Sequence, residues 1–489
     1  MTNSKMSAFQ PVVDKHHRKS WFHLDYFKQY IPDELFDAMA MSMNTGHVLE
    51  TGKSLNTTAD ELKTFFGMSI TMSCLGYPQM RRYWSTKTRV PVVADKMPRD
   101  RYFKLRSRLK VVNELDVAAE EKEKDKLWRI RPFVKAILNG CLQLPREECL
   151  SIDEQMIPFT GRTHLKQFVP RKPNPEGLKN FVLTTPSGLI LDFEIYQGKK
   201  STLFQASSGI GESAVLRLSN NLAPGTQLFF NRYFISGPLL DKLAKKDISG
   251  TGPVMNNRIP KGVNLSSESE LKLKGRGTSE MVERDDEQQV VVRWYDNKAI
   301  TLMSSLHGKQ PEDTCRRWSN KDKKHVNIAR PNIVCLYNKN MGGVDMADRM
   351  ISYYRMKARV SKWTIRCFFH LMDMALSNSW LQYTRDMRDQ QKRPREVLEF
   401  LDFRVSVAAA LVNEAFRIAS DSDSGSGSQL PTKRAPLPPL PVRKTFGHFP
   451  RLADIPNAAR CRMEGCIMKT VFLRKVPTVL LHHEGTAML

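Results

Sequence analysis

Two aspartates at the ends of predicted elements are the side chains in this sequence best suited to hold a metal ion. Asp153 follows the short apolar run 149–152 and precedes a turn-like segment, a pattern that places a charge at the rim of a buried strand. Asp345 follows the apolar run 332–337, which predicts a strand, then a polar loop and a Gly-Gly pair, and it opens a predicted helix. Carboxylates that the fold brings together can bind a divalent cation. The alternative is that Asp153 is a turn residue and Asp345 a helix N-cap.

Five longer motifs surround these aspartates. They are Ser-Ile-Asp-Glu-Gln-Met (151–156), Phe-Thr-Gly-Arg (159–162), Lys-Pro-Asn-Pro-Glu-Gly-Leu-Lys-Asn-Phe (172–181), Leu-Asp-Phe-Glu-Ile-Tyr-Gln-Gly-Lys (191–199) and Met-Gly-Gly-Val-Asp-Met-Ala-Asp-Arg-Met (341–350). At these motifs, and over roughly residues 20–415, the sequence resembles the piggyBac transposase family. The resemblance implies an α/β fold. Its RNase H-like core, of the DDE transposase type, is interrupted by a β-rich insertion and flanked by an α-helical dimerisation and DNA-binding domain.

The resemblance also implies a catalytic set of three aspartates and a helper that hold two Mg²⁺ ions for DNA strand cleavage. Asp153 matches the first aspartate, Asp345 the third, and Asp348 the helper one turn further along the same helix. The second position is Asn231, whose amide brings no formal charge, and Arg232 beside it adds a positive one. A hard dication prefers carboxylates. We therefore predict that Mg²⁺ binding is weakened or lost and that cleavage falls on the order of 10³-fold or more.

Two further acids could in principle take the place of the missing carboxylate. Asp192 and Glu194 are two residues apart, so on a strand they share one face. The family carries similar acids there as part of its structure, which favours a structural role here as well.

The strong positive charge of the chain favours a nucleic-acid partner. The 489 residues include 76 Lys and Arg against 51 Asp and Glu, a formal charge of +25 at pH 7. Such an excess favours a polyanion and is hard to explain for an enzyme of small molecules. No apolar run of about 18 residues occurs, so we expect no membrane-spanning helix. The polar N-terminus does not predict a secretory signal. We expect a nuclear DNA-binding protein, and the resemblance implies a homodimer.

Several basic residues are candidate contacts to DNA phosphates, which would give salt-dependent binding with little sequence information. Most of them crowd the segment that follows Asp153, and the others precede a predicted helix that begins near residue 362. The candidates are Arg162, Lys166, Arg171, Lys172, Lys179, Lys357, Arg359 and Lys362.

Changes in composition and periodicity divide the chain, with the resemblance supplying the domain names. The predicted order is a disordered basic tail (1–20), a first helical DNA-binding and dimerisation part (21–147), the RNase H-like core (148–253), the β-rich insertion (254–325), the last part of the core (326–349), a second helical part (350–418), a flexible linker (419–455) and a degenerate cysteine-rich tail (456–489).

The tail resembles the start of the zinc-binding module that often ends members of this family. Cys461 and Cys466 match its first pair, whereas the later cysteines are missing and only the adjacent His482 and His483 remain as nitrogen ligands. Adjacent histidines are poorly spaced for one tetrahedral ion. The sequence therefore predicts an incomplete zinc site and does not favour bound zinc.

Together these features predict a DNA-binding protein derived from a piggyBac transposase and impaired in strand cleavage. Two alternatives remain open on the sequence: an active transposase that uses Asn231 with a substitute acid, and a non-enzymatic scaffold that binds chromatin or RNA.

Overall fold

A computed structural model of the chain describes most of its length. The described residues are 7–9, 18–170, 172–198, 209–356 and 360–422, with short strands at 450–452, 459–460, 469–470, 472–474 and 480–481. The chain divides into two compact units, Met1–Ser422 and Asp423–Leu489. The predicted tail residues 10–17, most of the predicted linker and the tail cysteines Cys461 and Cys466 lie outside the described residues.

The first part of the chain is helical, as its apolar spacing predicts. Its α-helices are α1 (His23–Lys28), α2 (Asp33–Thr51), α3 (Ala59–Leu75), α4 (Pro91–Ala94), α5 (Arg99–Arg108), α6 (Ala119–Lys124) and α7 (Arg131–Leu142). Helix α3 begins where the Thr58 hydroxyl accepts the Glu61 N–H at 3.1 Å, and it ends at Gly76 in the left-handed region (φ 73°). Its apolar residues surround the helix on most sides, so it lies in the core.

A large mixed sheet follows. Its first part contains β1 (Cys149–Pro158), β2 (Lys166–Phe168), β3 (Glu176–Thr184), β4 (Ile190–Ile195), α8 (Ile210–Leu218), β5 (Gln227–Phe230), α9 (Gly237–Ala244) and β6 (Ser249–Pro253). Strands β1, β5 and β6 are parallel, and β3 pairs antiparallel with both β1 and β4. The sequence predicts the end of the first strand at Asp153, but β1 continues to Pro158 because β3 pairs with it throughout.

The same sheet takes in strands from the segment predicted as an insertion. These elements are α10 (Glu268–Lys274), β7 (Ser279–Glu283), β8 (Val290–Tyr295), β9 (Ala299–Ser304), β10 (Asp313–Ser319) and β11 (Lys324–Arg330). The sheet order is β2-β3-β1-β5-β6-β9-β8-β7, and β10 pairs with β11 separately. The hairpin β8–β9 forms around Asp296 and Asn297.

The chain returns to helices for the rest of the first unit. They are α11 (Asn332–Asn340), α12 (Gly343–Tyr353), α13 (Trp363–Asp389) and α14 (Phe400–Ser422). The predicted strand at 332–337 is wrong, because these residues form α11. Pro331 at the N-cap and the spacing of Ile333, Val334 and Tyr337 along one helical face explain the helix.

Helices α13 and α14 join the N-terminal helices in one large core. Gly67 of α3 faces α14 so closely that an added Cβ would lie 2.8 Å from the Ala408 carbonyl oxygen. The Arg404 guanidinium is fully buried there and forms an ion pair with Asp373 at 2.9 Å. A second core fills the space between the sheet, α8 and α9. The C-terminal end of β1 therefore packs in the helical core, and its N-terminal end packs in the core formed by the sheet, α8 and α9.

The second unit contains only short strands among its described residues. They are β12 (Pro450–Leu452), β13 (Ala459–Arg460), β14 (Lys469–Thr470), β15 (Phe472–Arg474) and β16 (Leu480–Leu481). Within the described parts of the whole chain, no helix is both long enough and apolar enough to cross a membrane.

Candidate functional site

Asp153 and Asn231 lie side by side because two parallel strands stop pairing at the same level. The parallel register of β1 and β5 ends at the pair Ile152 and Phe230. The next residue of each chain segment is therefore Asp153 or Asn231, at the carboxyl edge of β5. This edge is where ligands bind in open α/β sheets. The fold thus brings together the first and second positions of the predicted catalytic set.

The Asn231 side chain presents its amino group, not its oxygen, to the carboxylates. The Tyr233 backbone N–H donates to Asn231 Oδ1 at 2.8 Å. That contact fixes the amide orientation, since the opposite one would set two donors against each other. Asn231 Nδ2 then donates to Glu154 Oε2 at 2.6 Å and to Asp153 Oδ1. Asn231 Oδ1 therefore already accepts one hydrogen bond, and the group that faces the two carboxylates is the amino group.

Two lysines neutralise the same carboxylates. Lys172 Nζ lies 3.6 Å from Asp153 Oδ2 and donates to the Glu154 carbonyl oxygen at 2.7 Å. Lys179 Nζ donates to Glu154 Oε1 at 3.1 Å and lies 4.1 Å from the centre of the Tyr233 ring. The Asp153 cluster, as we name Asp153, Glu154, Lys172, Lys179 and Asn231, thus contains two carboxyl groups and two ammonium groups. The sequence analysis expected the positive charge near Asn231 to come from Arg232. Arg232 is exposed, and the positive charge beside the carboxylates comes from Lys172 instead.

Burial shapes the protonation of the two acids. Asp153 is 8% exposed and Glu154 is 4% exposed. Burial raises the pKa of Asp153 well above its ordinary value, and the hydrogen bond shared with Glu154 raises it further. Burial also opposes ionisation of Glu154, but Asp153, Lys179 and Asn231 together lower the pKa of Glu154. Negative charge is therefore concentrated on Glu154, which the sequence analysis did not single out.

Asp348 approaches the same strand from α12. Gly343 lets the start of this helix lie against the sheet, since a Cβ there would be 2.2 Å from the Thr185 carbonyl oxygen. Gln155 Nε2 donates to Asp348 Oδ1 at 2.8 Å, and Gln155 Oε1 meets His370 Nε2 at 2.9 Å. Burial raises the pKa of Asp348 to about 6, although Gln155, Lys172 and Arg355 oppose that shift.

Asp345 lies in the first turn of α12 and is exposed. Burial raises the pKa of the Tyr337 hydroxyl, and the nearby carboxyl groups of Asp153 and Asp345 raise it further. Helix α12, which carries Asp345, packs against β1. Asp345 is not the N-cap, which is Gly342.

The chemistry of these donors does not fit a pair of bound dications. Among the described residues, no three His, Cys, Asp or Glu side chains are grouped so that they could hold a metal ion. More directly, amide and ammonium N–H groups already face the oxygens of Asp153 and Glu154. A metal ion would have to displace these donors and would meet an ammonium group 3.6 Å from Asp153.

The candidate substitute acids are engaged elsewhere. Arg217 Nη1 donates to Asp192 Oδ2 at 2.6 Å, and Arg217 Nε lies 3.5 Å from Glu194 Oε2. Both acids are on β4, which is separated from β1 by β3. Burial raises the pKa of Glu194 to about 7, although Arg217 and Arg131 oppose that shift.

The predicted phosphate contacts occupy very different environments. Arg162 is exposed, whereas Lys166 is paired with Glu176 at 2.6 Å. Lys172 belongs to the Asp153 cluster. Lys179 is only 8% exposed, and a buried lysine paired with Glu154 does not fit the predicted phosphate contact. Arg171, Lys357 and Arg359 lie outside the described residues.

Lys362 belongs to a basic surface. It is exposed and donates to the Ser107 carbonyl oxygen at 3.1 Å. Partial burial lowers the pKa of Lys362, and the positive charges of Arg108 and Lys110 lower it further. Of these three cations, only Lys362 was predicted from the sequence. Arg108 lies in α5 and Lys110 in the loop after it, far from Lys362 along the chain.

Comparisons with known proteins agree with the motifs. The family described as Transposase IS4 matches residues 23–380. The chain is 34% identical over 379 residues to human PiggyBac transposable element-derived protein 3, covering 76% of this chain and 62% of that protein. It is 30% identical over 364 residues to human PiggyBac transposable element-derived protein 2, covering 73% and 59%. The chain thus spans about three fifths of these relatives.

A solved structure has the same fold. It is a piggyBac transposase in a synaptic complex with hairpin DNA, with a TM-score of 0.71 at 20% identity, covering 89% of this chain and 91% of that one. The mixed α/β fold is therefore RNase H-like, as predicted. With the family match over residues 23–380, the chain belongs to the piggyBac-type transposase family.

Proposed function

We propose that this chain is a transposase-derived DNA-binding protein that has lost metal-dependent strand cleavage. DNA binding is supported by the formal charge of +25 and by the exposed basic surface around Lys362. The solved relative is named as a complex with hairpin DNA, which makes DNA the partner class to test. Such a protein would act in the nucleus, and a synaptic arrangement would bring two copies together as a homodimer.

The loss of cleavage rests on one observation, the donor role of Asn231. Its oxygen accepts from Tyr233 N–H, and its nitrogen donates to Asp153 and Glu154. An aspartate at this position would present oxygens to the carboxylates, and a cation would be needed to join them. Asn231 joins them without a cation.

The decisive experiment compares Asn231→Asp with the wild type in the presence and absence of Mn²⁺. Without metal, the variant loses two hydrogen bonds and gains a partly buried negative charge beside two carboxyl groups, so we expect a loss of about 2–3 kcal/mol in the free energy of unfolding. Millimolar Mn²⁺ should raise the melting temperature of the variant and leave that of the wild type unchanged. Nicking of supercoiled plasmid in Mn²⁺, compared with Asp153→Asn as background, reports cleavage.

Asn220→Asp is the matched control, because it adds the same charge at an exposed position that contacts Lys246. It should change neither stability nor the response to Mn²⁺. Wild-type nicking well above the Asp153→Asn background, or equal Mn²⁺ stabilisation of wild type and Asn231→Asp, would falsify the loss of cleavage. Wild-type protein that binds neither duplex DNA nor single strands at low salt would contradict DNA binding itself. Tighter binding to RNA than to DNA would favour the scaffold alternative.

A further inference from the structure

A cavity of about 940 Å³ opens between the helical domain and the far end of β1. Its walls come from the end of α3, the loop and short 3₁₀ helix that follow (76–84), α5, residues 158–160 at the end of β1, residues 355, 356 and 360 between α12 and α13, and the start of α13. This volume is in the range of sites that bind small molecules or single units of a polymer. The cavity is distinct from the Asp153 cluster, none of whose members lines it.

Its charge has one sign. Four arginines line the cavity, and no described lining residue is Asp or Glu. They are Arg81, Arg106, Arg355 and Arg366. Arg366 is buried and donates to neutral main-chain carbonyl oxygens, those of Pro158 at 2.9 Å and Met356 at 3.2 Å. Burial lowers the pKa of Arg366, and the nearby charge of Arg355 lowers it further. Cations held this close in a low-dielectric wall favour an anionic ligand.

The other walls are flat and apolar. The guanidinium carbons of Arg81 and Arg106 each lie 5.8 Å from the centre of the Phe103 ring. Tyr77 stacks on Tyr83 with 4.7 Å between ring centres, and Tyr77 is exposed at the rim. Such rings can accept a planar base, which stacks on aromatic side chains whatever its identity. Phosphate and a planar ring are the two parts of a nucleotide.

We propose that this arginine cavity binds an unpaired nucleotide of DNA, with its phosphate on the arginines and its base against the aromatic wall. The proposal rests on the proposed DNA-binding function and adds a ligand class and a place. It also gives β1 two roles, because Arg366 holds the carbonyl of Pro158, the last residue of the strand that carries Asp153. A duplex has no free base to offer, so the cavity should distinguish single strands from duplexes.

The test measures the affinity of the full chain for a fluorescent oligothymidine, for the same oligomer with abasic sites, and for a duplex. Arg81→Gln and Phe103→Leu change the rim without removing the buried Arg366. Each should weaken single-strand binding roughly tenfold, in line with the loss of one stacked base or one phosphate contact. Duplex binding should stay unchanged. The abasic oligomer should bind weakly to the wild type and be insensitive to Phe103→Leu.

Arg129→Gln is the matched control, since Arg129 also stacks on an aromatic ring, that of Trp128 at 4.5 Å, but lies outside the cavity. It should bind the single strand like the wild type. Photocrosslinking with 5-iodouracil in the oligomer gives an independent readout and should label Tyr77, Met80 or Phe103.

The outcomes separate this proposal from the proposed function. Unchanged single-strand affinity in both rim variants, or crosslinks only outside the cavity, would overturn the cavity as the site while DNA binding stands. If the wild type binds no DNA, crosslinking of free 5-iodo-dUMP at Tyr77 or Phe103 would still support the cavity, and its absence would overturn it. An RNA oligomer that binds more tightly, with the same sensitivity to Arg81→Gln, would overturn the choice of DNA.

Discussion

The Asp153 cluster lies at the middle of β1 and the arginine cavity at the C-terminal end of that strand, and the two regions differ in which groups face their charges. In the cluster, the carboxylate oxygens of Asp153 and Glu154 face N–H groups of Asn231, Lys172, Lys179 and the Glu154 backbone. In the cavity, Arg366 faces main-chain carbonyl oxygens, and Arg355 Nε is buried without a hydrogen-bond partner among the described residues.

The groups that face each set of charges determine whether a ligand can gain binding energy there. A cation entering the cluster must first displace donors that already satisfy the acids, so little net energy remains. An anion entering the cavity meets four arginines, and none of the described residues that line the cavity is an Asp or Glu.

Removing Lys179 should leave the carboxyl groups of the Asp153 cluster with one ammonium group instead of two. In Lys179→Met, Glu154 keeps its burial and loses its ammonium partner 3.1 Å away. Breaking a buried ion pair in this way costs about 3–5 kcal/mol in the free energy of unfolding. Urea denaturation followed by far-UV circular dichroism measures it.

Lys166→Met provides the control on the neighbouring strand. Lys166 pairs with Glu176 at 2.6 Å, but both side chains are about a third exposed. An exposed pair contributes about 1 kcal/mol or less. Equal losses of unfolding free energy in the two variants would mean that the Lys179–Glu154 pair contributes no more than a surface ion pair.

Sequence reasoning located this site through motifs and missed its inner partners. Asp153, Asn231 and Asp348 were identified because they match positions in the motifs of the transposase family. Glu154 was missed because strand alternation assigns neighbouring residues to opposite faces. Strand β5 stops pairing with β1 after Phe230, so the next two residues of β1, Asp153 and Glu154, both contact Asn231.

The arginine cavity could not be predicted from local patterns at all. Arg81 and Arg366 are 285 positions apart in the sequence, and only tertiary packing brings them to one space. The same reason explains the misread helix α11, where an apolar run short enough for a strand was decided by packing and by Pro331. The fold class was predictable because the motifs are long and ordered.

Glu194 is a third acid removed from solvent, and its arginine partners do not fully offset the rise in its pKa that burial causes. Its pKa is raised from an ordinary value of 4.5 to about 7. The native state therefore holds a proton that the unfolded state has lost, and stability falls as pH rises from about 4.5 through about 7. Glu194→Gln should remove up to about 3 kcal/mol of this decline.

Thermal melts of wild type and Glu194→Gln between pH 4.5 and 8 check this prediction. The difference between them should grow in favour of the variant as pH rises. Parallel curves, or a variant that loses stability relative to the wild type as pH rises, would show that Arg217 and Arg131 fully compensate the burial of Glu194.

Lys362 should give the smallest effect on stability and a measurable one on DNA binding. It is exposed beside Arg108 and Lys110, and Glu50 already pairs with both of those cations. Lys362→Gln should therefore change the free energy of unfolding by less than about 0.5 kcal/mol. If Lys362 contacts a phosphate, duplex affinity should fall a few-fold, and the slope of log affinity against log salt should decrease by about 1. Lys245→Gln, an exposed lysine at the end of α9, should leave that slope unchanged. A full wild-type slope in Lys362→Gln would remove Lys362 from the DNA interface.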